Sequence, residues 1–265
     1  AYEIYMGDWS SDVCSSDLLY GLSTATALMR TGVVRNALVI GAELISPFMD
    51  WSDRNVAVLF GDGAAAVVLQ PTDRDEGLLA EKLGCYGDAR EILRVHGMGG
   101  RYANAGRLYG ETSWQFEGQE IFKRAVHGMS EACGVALGKA GITADQVDLV
   151  IPHQANLRII EAVAKRAHIP MERVFVNVHR YGNMSSATVP VALCEALEEG
   201  RIQPGALLLM PGFGGGLTYC AHLVRWGERV KPLAAASVEL PPNDRSALEL
   251  IQDLLKRKSV RVASA

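Results

Sequence analysis

The chain has 265 residues, 49% of them hydrophobic, and a net charge of −4. That length and apolar fraction allow one large domain or two fused halves around a substantial core. The slightly acidic balance carries no electrostatic footprint for nucleic acid, and neither a bilayer-length apolar run nor a basic-then-apolar leader is present, so a soluble cytoplasmic protein is expected. Cys14, Cys85, Cys133, Cys194 and Cys220 have neither metal-ligand nor disulfide-framework spacing, which predicts mostly buried, reduced thiols and no metal site.

Residues 1–18 read unlike the rest. Asp8 to Leu18 lacks helical and strand periodicity, and it matches the translation of a common short-read sequencing adapter. Assembly contamination is the expectation for this segment, which is set aside from the fold. From Leu19 onward Leu22, Ala25, Leu28 and Met29 mark one helix face, Gly32 ends it, and Ala37 to Gly41 reads as a buried strand. Val56 to Phe60 and Ala64 to Leu69 read as a strand pair around the turn Gly61-Asp62-Gly63. Glu76 to Tyr109 is glycine-rich and weakly periodic, so connecting structure is expected there. Ile121, Phe122, Val126, Met129 and Val135 give a helix over Gly118 to Lys139 its apolar side. Beyond Trp226-Gly227, the Pro241-Pro242-Asn243-Asp244 cap predicts an amphipathic helix with Leu248, Ile251, Leu254 and Leu255 on one side and Lys256-Arg257-Lys258 at its end.

A repeat runs through this order. Ala27-Leu28 leads through Gly32 to Ala37-Leu38-Val39-Ile40, and Ala196-Leu197 leads through Gly200 to Ala206-Leu207-Leu208-Leu209. Each strand is followed by a glycine-rich turn and a closing strand, Ala64 to Leu69 or Leu217 to Val224, which predicts a duplicated α/β unit.

Three strand ends carry the chemistry. Val147 to Ile151 runs into Pro152-His153-Gln154-Ala155-Asn156, Val174 to Val178 runs into Gly182-Asn183-Met184-Ser185, and Ala206 to Met210 runs into Phe213-Gly214-Gly215-Gly216. A histidine after a strand is by itself an ordinary structural residue, and Gly-Asn by itself a turn. Together these ends bring an imidazole, an amide and a run of exposed N–H groups to where α/β sheets place their sites.

In those three motifs, together with Asp53-Arg54 and Phe60-Gly61-Asp62-Gly63-Ala64, the chain resembles the beta-ketoacyl-acyl-carrier-protein synthase III family of the thiolase superfamily, from about Leu19 to Gly227. The resemblance implies a thiolase-like duplicated α-β-α-β-α layered α/β fold whose first half is incomplete. Residues 19–110 would be the remainder of the N-terminal half and its connection, 111–227 the C-terminal half, and 228–265 an extension. It implies an acyltransferase that initiates fatty-acid or related chain synthesis by decarboxylating Claisen condensation of an acyl-CoA primer with malonyl-acyl carrier protein. Coenzyme A thioester is then substrate, no separate cofactor is needed, and a homodimer is expected.

By the same resemblance the nucleophile is a cysteine at a helix N-terminus, where the dipole favours thiolate. Counted back from Leu19-Tyr20-Gly21 its position falls at Ser15, with Cys14 one place early, so the chain as it stands is expected to be inactive in condensation. His153 Nε2 and the Asn183 amide would donate to the thioester oxygen, and the Gly215 N–H would serve a second oxyanion hole. Arg54 matches an arginine on the coenzyme A adenine, although Asn55 replaces its glycine neighbour, and Gln119 stands where asparagine is usual. Phe122 would line the pantetheine tunnel, a position that equally suits a helix-core aromatic, and Ala155, Asn156 and Arg158 would continue it. Lys123, Arg158, Lys165 and Arg166 would dock an acidic carrier protein. Two further readings stay open: a hydroxymethylglutaryl-type or head-to-head acyl condensation, and a non-catalytic partner subunit.

Overall fold

The computed structural model describes residues 17–51, 53–96 and 113–231, with positions 242, 244–246, 248–249 and 252. Cys14 and Ser15 lie outside the described residues, as does most of the helix expected after Pro242. The elements in order are α1 (Asp17–Arg30), β1 (Ala37–Glu43), α2 (Arg54–Ala57), β2 (Gly63–Leu69), β3 (Gly77–Cys85), β4 (Leu93–His96), β5 (Ser113–Phe116), α3 (Gly118–Ala140), β6 (Leu149–Val150), α4 (Leu157–Arg166), α5 (Val178–Tyr181), α6 (Thr188–Glu198), β7 (Leu207–Gly214) and β8 (Thr218–Arg225).

The core is organised by a four-stranded sheet of order β3-β8-β7-β6, antiparallel except for the β6–β7 pair. Its central strands are apolar on both faces because helices cover both. Leu209, Phe213, Tyr219, Ala221 and Leu223 pack with Ala125, Met129 and Ala132 of α3 and Ile160 and Val163 of α4. The alternate residues Leu208, Met210 and Cys220 pack with Leu19 of α1 and Val189, Leu193 and Ala196 of α6. Helices α1 and α6 therefore form a middle layer, with the β1–β2 antiparallel pair on its far side. Both units run helix, strand and antiparallel strand, α1-β1-β2 in one and α6-β7-β8 in the other; the short turn Gly215–Leu217 joins β7 to β8, whereas residues 44–62, with α2, stand between β1 and β2.

Several local expectations change. The strand at 37–41 is not buried throughout: only one face meets the middle layer, so the period of two turns Leu38 and Ile40 outward, 61% and 60% exposed, beside Val68 at 67%. Val56 to Phe60 is no strand, because the Asp53 carboxylate accepts the Asn55 N–H at 2.9 Å and caps the short helix α2. Gly61-Asp62-Gly63 is no hairpin either. Asp62 Oδ1 accepts the N–H groups of Ile45 and Ser46 at 2.6 and 2.8 Å, tying the start of β2 to the end of its partner β1. Val174 alone bridges Val150, since the Gln154 Oε1 takes the N–H groups of Asn177 and Val178 away from any ladder. The stretch expected to be connecting structure contains β3, which pairs with β8 more than a hundred residues later and so leaves no local pattern. Cys133 and Cys220 are buried, but Cys85 and Cys194 are exposed; none of the four sits in a disulfide.

Leu209→Ala, at the fully enclosed centre of β7, should lower unfolding free energy by about 2–5 kcal/mol. Leu38→Ala on the open face should change it by no more than about 0.5 kcal/mol. Urea unfolding of the two variants checks this, and equal losses would overturn the assignment of the two faces.

Candidate active site

His153 is held by the sheet that precedes it. Asp148, Ile151 and His153 donate their N–H groups to Leu207, Leu209 and Pro211 carbonyls at 3.0, 2.9 and 2.8 Å, so the chain keeps parallel company with β7 up to the imidazole. The ring is 2% exposed, with Nδ1 at 2.6 Å from Thr188 Oγ1 at the start of α6. Burial pushes its pKa down to about 3, which leaves a neutral imidazole at ordinary pH.

Gln154 secures the loop behind it. Its Nε2 donates to the Pro152 and Phe175 carbonyls at 2.9 and 3.1 Å, and its Oε1 accepts from Asn177 and Val178, so this fully buried amide ties the histidine loop to the segment leading to Asn183. Nothing in the local sequence signals that role.

Asn183 is fixed from the other unit. Its N–H donates to the Leu59 carbonyl at 2.8 Å and its carbonyl accepts the Gly61 N–H at 3.0 Å. The side-chain oxygen accepts the Ser185 N–H at 2.9 Å, which leaves the NH₂ group as the donor. Ser185, at φ 50°, also donates its hydroxyl to Glu43 at the end of β1 at 3.1 Å. The turn approaches so closely that a Cβ on Gly61 would collide with the Tyr181 carbonyl and one on Gly63 with Met184. A Cβ on Gly41 would stand 2.5 Å from the Ser186 oxygen.

His153 and Asn183 share the wall of a cleft of about 1010 Å³. Leu59, Phe60, Leu93, Phe116, Phe122 and Phe213 give it an apolar lining, of which sequence reasoning missed Leu93 and Phe116 because β4 and β5 carry weak patterns. Of the predicted residues, Gln119, Phe122, Lys123, Ala155, Asn156 and Arg158 also line it. Phe122 packs against the helix-side core as well as lining the cleft. Asn156 has a structural duty, its Oδ1 capping α4 through the Ile159 N–H at 3.0 Å. Along this wall Lys123 has its side chain 71% exposed, whereas His153 is buried.

Other predicted positions fall elsewhere. Gly214 reaches the wall, whereas Gly215 is buried behind it, its carbonyl accepting the Thr218 hydroxyl at 3.1 Å. Arg54 is exposed on α2, off the wall and five residues before Leu59. Lys165 and Arg166 are exposed in the last turn of α4, away from the wall, with Arg166 Nη2 at 3.3 Å from His127 Nδ1 on α3. Burial pushes the Cys133 thiol up to about 12, so it supplies no thiolate. Among the described residues there is no cluster of three metal-ligating side chains, and no helix is long and apolar enough to cross a membrane.

Comparison with known proteins places this geometry. The N-terminal and C-terminal profiles of 3-oxoacyl-[acyl-carrier-protein] synthase III match residues 10–87 and 137–226. Beta-ketoacyl-[acyl-carrier-protein] synthase III 2 of Vibrio cholerae is 48% identical over 238 residues, 90% of this chain and 66% of that protein. Its namesake in Vibrio vulnificus is 46% identical over 243 residues, 92% of this chain and 67% of that one. The crystal structure of 3-oxoacyl-[acyl-carrier-protein] synthase III from Aquifex aeolicus superposes with a TM-score of 0.72 at 43% identity, covering 80% of this chain and 65% of that one. The chain thus spans about two thirds of the length of the curated relatives it matches.

The burial of His153 has a consequence for stability. In the unfolded chain the ring takes up a proton near its ordinary 6.5, whereas in the folded chain it does so only near 3. Between those values the unfolded state binds more protons, so stability is lost as pH falls from about 6.5 toward 3. His222, pushed down to about 4 by burial, adds a loss of the same sign. Urea midpoints of the wild type and His153→Gln from pH 7 to pH 4 should show a shallower decline in the variant, and parallel curves would refute the assignment.

Proposed function

The chain belongs to the 3-oxoacyl-[acyl-carrier-protein] synthase III family, and from that membership we propose an acyltransferase that condenses an acyl-CoA primer with malonyl-acyl carrier protein, with loss of carbon dioxide, to initiate chain synthesis. The observation that carries the proposal is the meeting of His153 and Asn183 on the wall of one apolar cleft. As the carbon–carboxylate bond of a malonyl thioester breaks, its electron pair moves into an enolate and the thioester oxygen gains negative charge. Two neutral donors fixed beforehand stabilise that oxygen, each by about 3–4 kcal/mol in a water-poor site. A neutral imidazole suits the task, because its ring N–H donates a hydrogen bond to the oxygen without giving up the proton.

The apolar walls suit a slender pantetheine arm, and Gln119, Asn156 and Arg158 supply polar contacts along it. A homodimer belongs to the same proposal. The enolate carbon then attacks an acyl group held on a cysteine. Counted along the sequence, Ser15 falls at the family's cysteine position and Cys14 stands one residue early. On this reading the described residues supply the decarboxylating half of the reaction.

Carbon dioxide release from a malonyl thioester should be detectable without condensed product. His153→Ala and Asn183→Ala should each lower that release by about 100- to 1000-fold. Normal release in either variant sinks the assignment, and specific acylation of Cys14 by acyl-CoA, read by mass spectrometry, would make it the nucleophile after all.

Carrier-protein docking on Lys123, Arg158, Lys165 and Arg166 is part of the proposal, supported by their places on the adjoining helices α3 and α4. Exposed ion pairs are individually weak, so the patch acts as a salt-sensitive sum. Reversing the charges of Lys165 and Arg166 should raise the KM for malonyl-acyl carrier protein in the release assay and leave that for malonyl-CoA unchanged. Equal effects on both substrates would count against docking there.

A further inference from the structure

We propose that Glu195 is a positioning residue: from helix α6 its carboxylate clamps the one-turn helix α5 and so fixes where the adjoining Asn183 presents its amide. The inference rests on the reading of Asn183 as an oxygen-stabilising donor and names what holds it in place. Helix α5 has four residues, too few to be stable by itself, so its pose is set by what grips it. It runs directly into Gly182-Asn183.

Three donors from this segment converge on the carboxylate. Asn177 Nδ2 donates to Oε2 at 2.8 Å, while the Tyr181 hydroxyl and, at 3.1 Å, Arg180 Nη1 donate to Oε1. The Glu195 side chain is 13% exposed and Asn177 is buried, so water has little access to the junction. Burial alone would raise the Glu195 pKa, but the bonds from Tyr181, Asn177 and Arg180 outweigh it and hold the carboxyl below its ordinary value. The group is thus an anion, and charge-assisted bonds of this kind are roughly twice as strong as neutral ones.

The Asn183 turn is therefore held twice. Leu59 and Gly61 bond to the Asn183 backbone from the first unit, and Glu195 grips residues 177–181 just before it. Helix α6 is a fixed support for that grip, because its Val189, Leu193 and Ala196 are buried in the core. The same Asn177 gives its N–H to Gln154 Oε1, which ties the clamp to the loop carrying His153. Glu195, Asn177, Arg180 and Tyr181 all lie off the cleft wall, so the clamp acts through Asn183 and not on a substrate. A displacement on the order of 1 Å caused far from the chemistry can cost about a hundredfold in rate.

Carbon dioxide release from a malonyl thioester by the full chain tests the clamp. Glu195→Ala should lower kcat by about 10- to 100-fold at unchanged KM. In an Asn183→Ala background the same substitution should cost little more, because the residue it positions is already gone. An equal loss in both backgrounds would show a structural role only and overturn the proposal. Glu195→Gln, which keeps the shape and one acceptor oxygen, should recover part of the rate. Side-chain amide spectra of the nitrogen-15-labelled chain give a readout independent of activity. The Asn183 NH₂ pair, identified by its loss in Asn183→Ala, should shift or broaden in Glu195→Ala while the backbone signals of the central sheet stay in place, and an unmoved pair would overturn the proposal. If Glu195→Ala fails to fold, Glu195→Gln carries both comparisons with smaller changes of the same kind, and no change in either would overturn it. If the wild type releases no carbon dioxide, the reading of Asn183 as a donor fails, and the spectra alone decide whether Glu195 holds it.

Discussion

The site depends on how closely the turn from Tyr181 to Ala187 sits against the first unit. Gly41, Gly61 and Gly63 line that contact, and each is a position where a single Cβ would strike the turn. Backbone bonds from Asn183 to Leu59 and from Gly61 to Asn183 hold the same surface, and Glu43 grips Ser185 from the end of β1. Because interiors are close-packed, a shift of even a few tenths of an ångström here would be carried straight to the Asn183 amide. The two units of the duplicated fold are thus joined at the place where the donors are presented.

The polar groups behind the cleft are organised so that they face the reacting oxygen without needing to rearrange. Gln154 has both ends of its amide occupied, Asn183 has its oxygen occupied, and His153 has Nδ1 occupied. In each case the bonded atom faces the protein, and for His153 and Asn183 the other side-chain nitrogen is left for the cleft. Burying polar groups is costly unless they are paired, and it is this pairing that makes a neutral, enclosed imidazole tolerable. The sheet sets that arrangement, since the parallel run along β7 delivers a buried His153 to the cleft wall.

The open face of the β1–β2 pair contrasts with this. Leu38, Ile40 and Val68 stand outward in a row, each more than half exposed, on strands whose other face is packed against the middle layer. Their apolar character explains why the strand reads as buried when only its composition is considered.

The sequence by itself determined the duplicated α/β plan, the long helix α3, and the His, Asn and glycine-rich strand ends, because each is written in local periodicity or in residue types that few other contexts require. It also determined the family, through motifs whose combination is specific even where each alone is ordinary. What only the tertiary structure decided depends on partners distant in the chain. Strand β3 exists because β8 offers it a ladder, and Val174 to Val178 is no strand because Gln154 takes its donors. Gly215 lies behind the wall that Gly214 reaches, and Phe116 and Leu93 enter the cleft from strands with little pattern of their own. Thr188 became visible only when α6 brought its hydroxyl to the imidazole, since a threonine 35 residues from a histidine has no local signature. Periodicity reports the face a residue shows to its neighbours, whereas the acceptor of a side-chain proton is set by where the whole chain places the second atom.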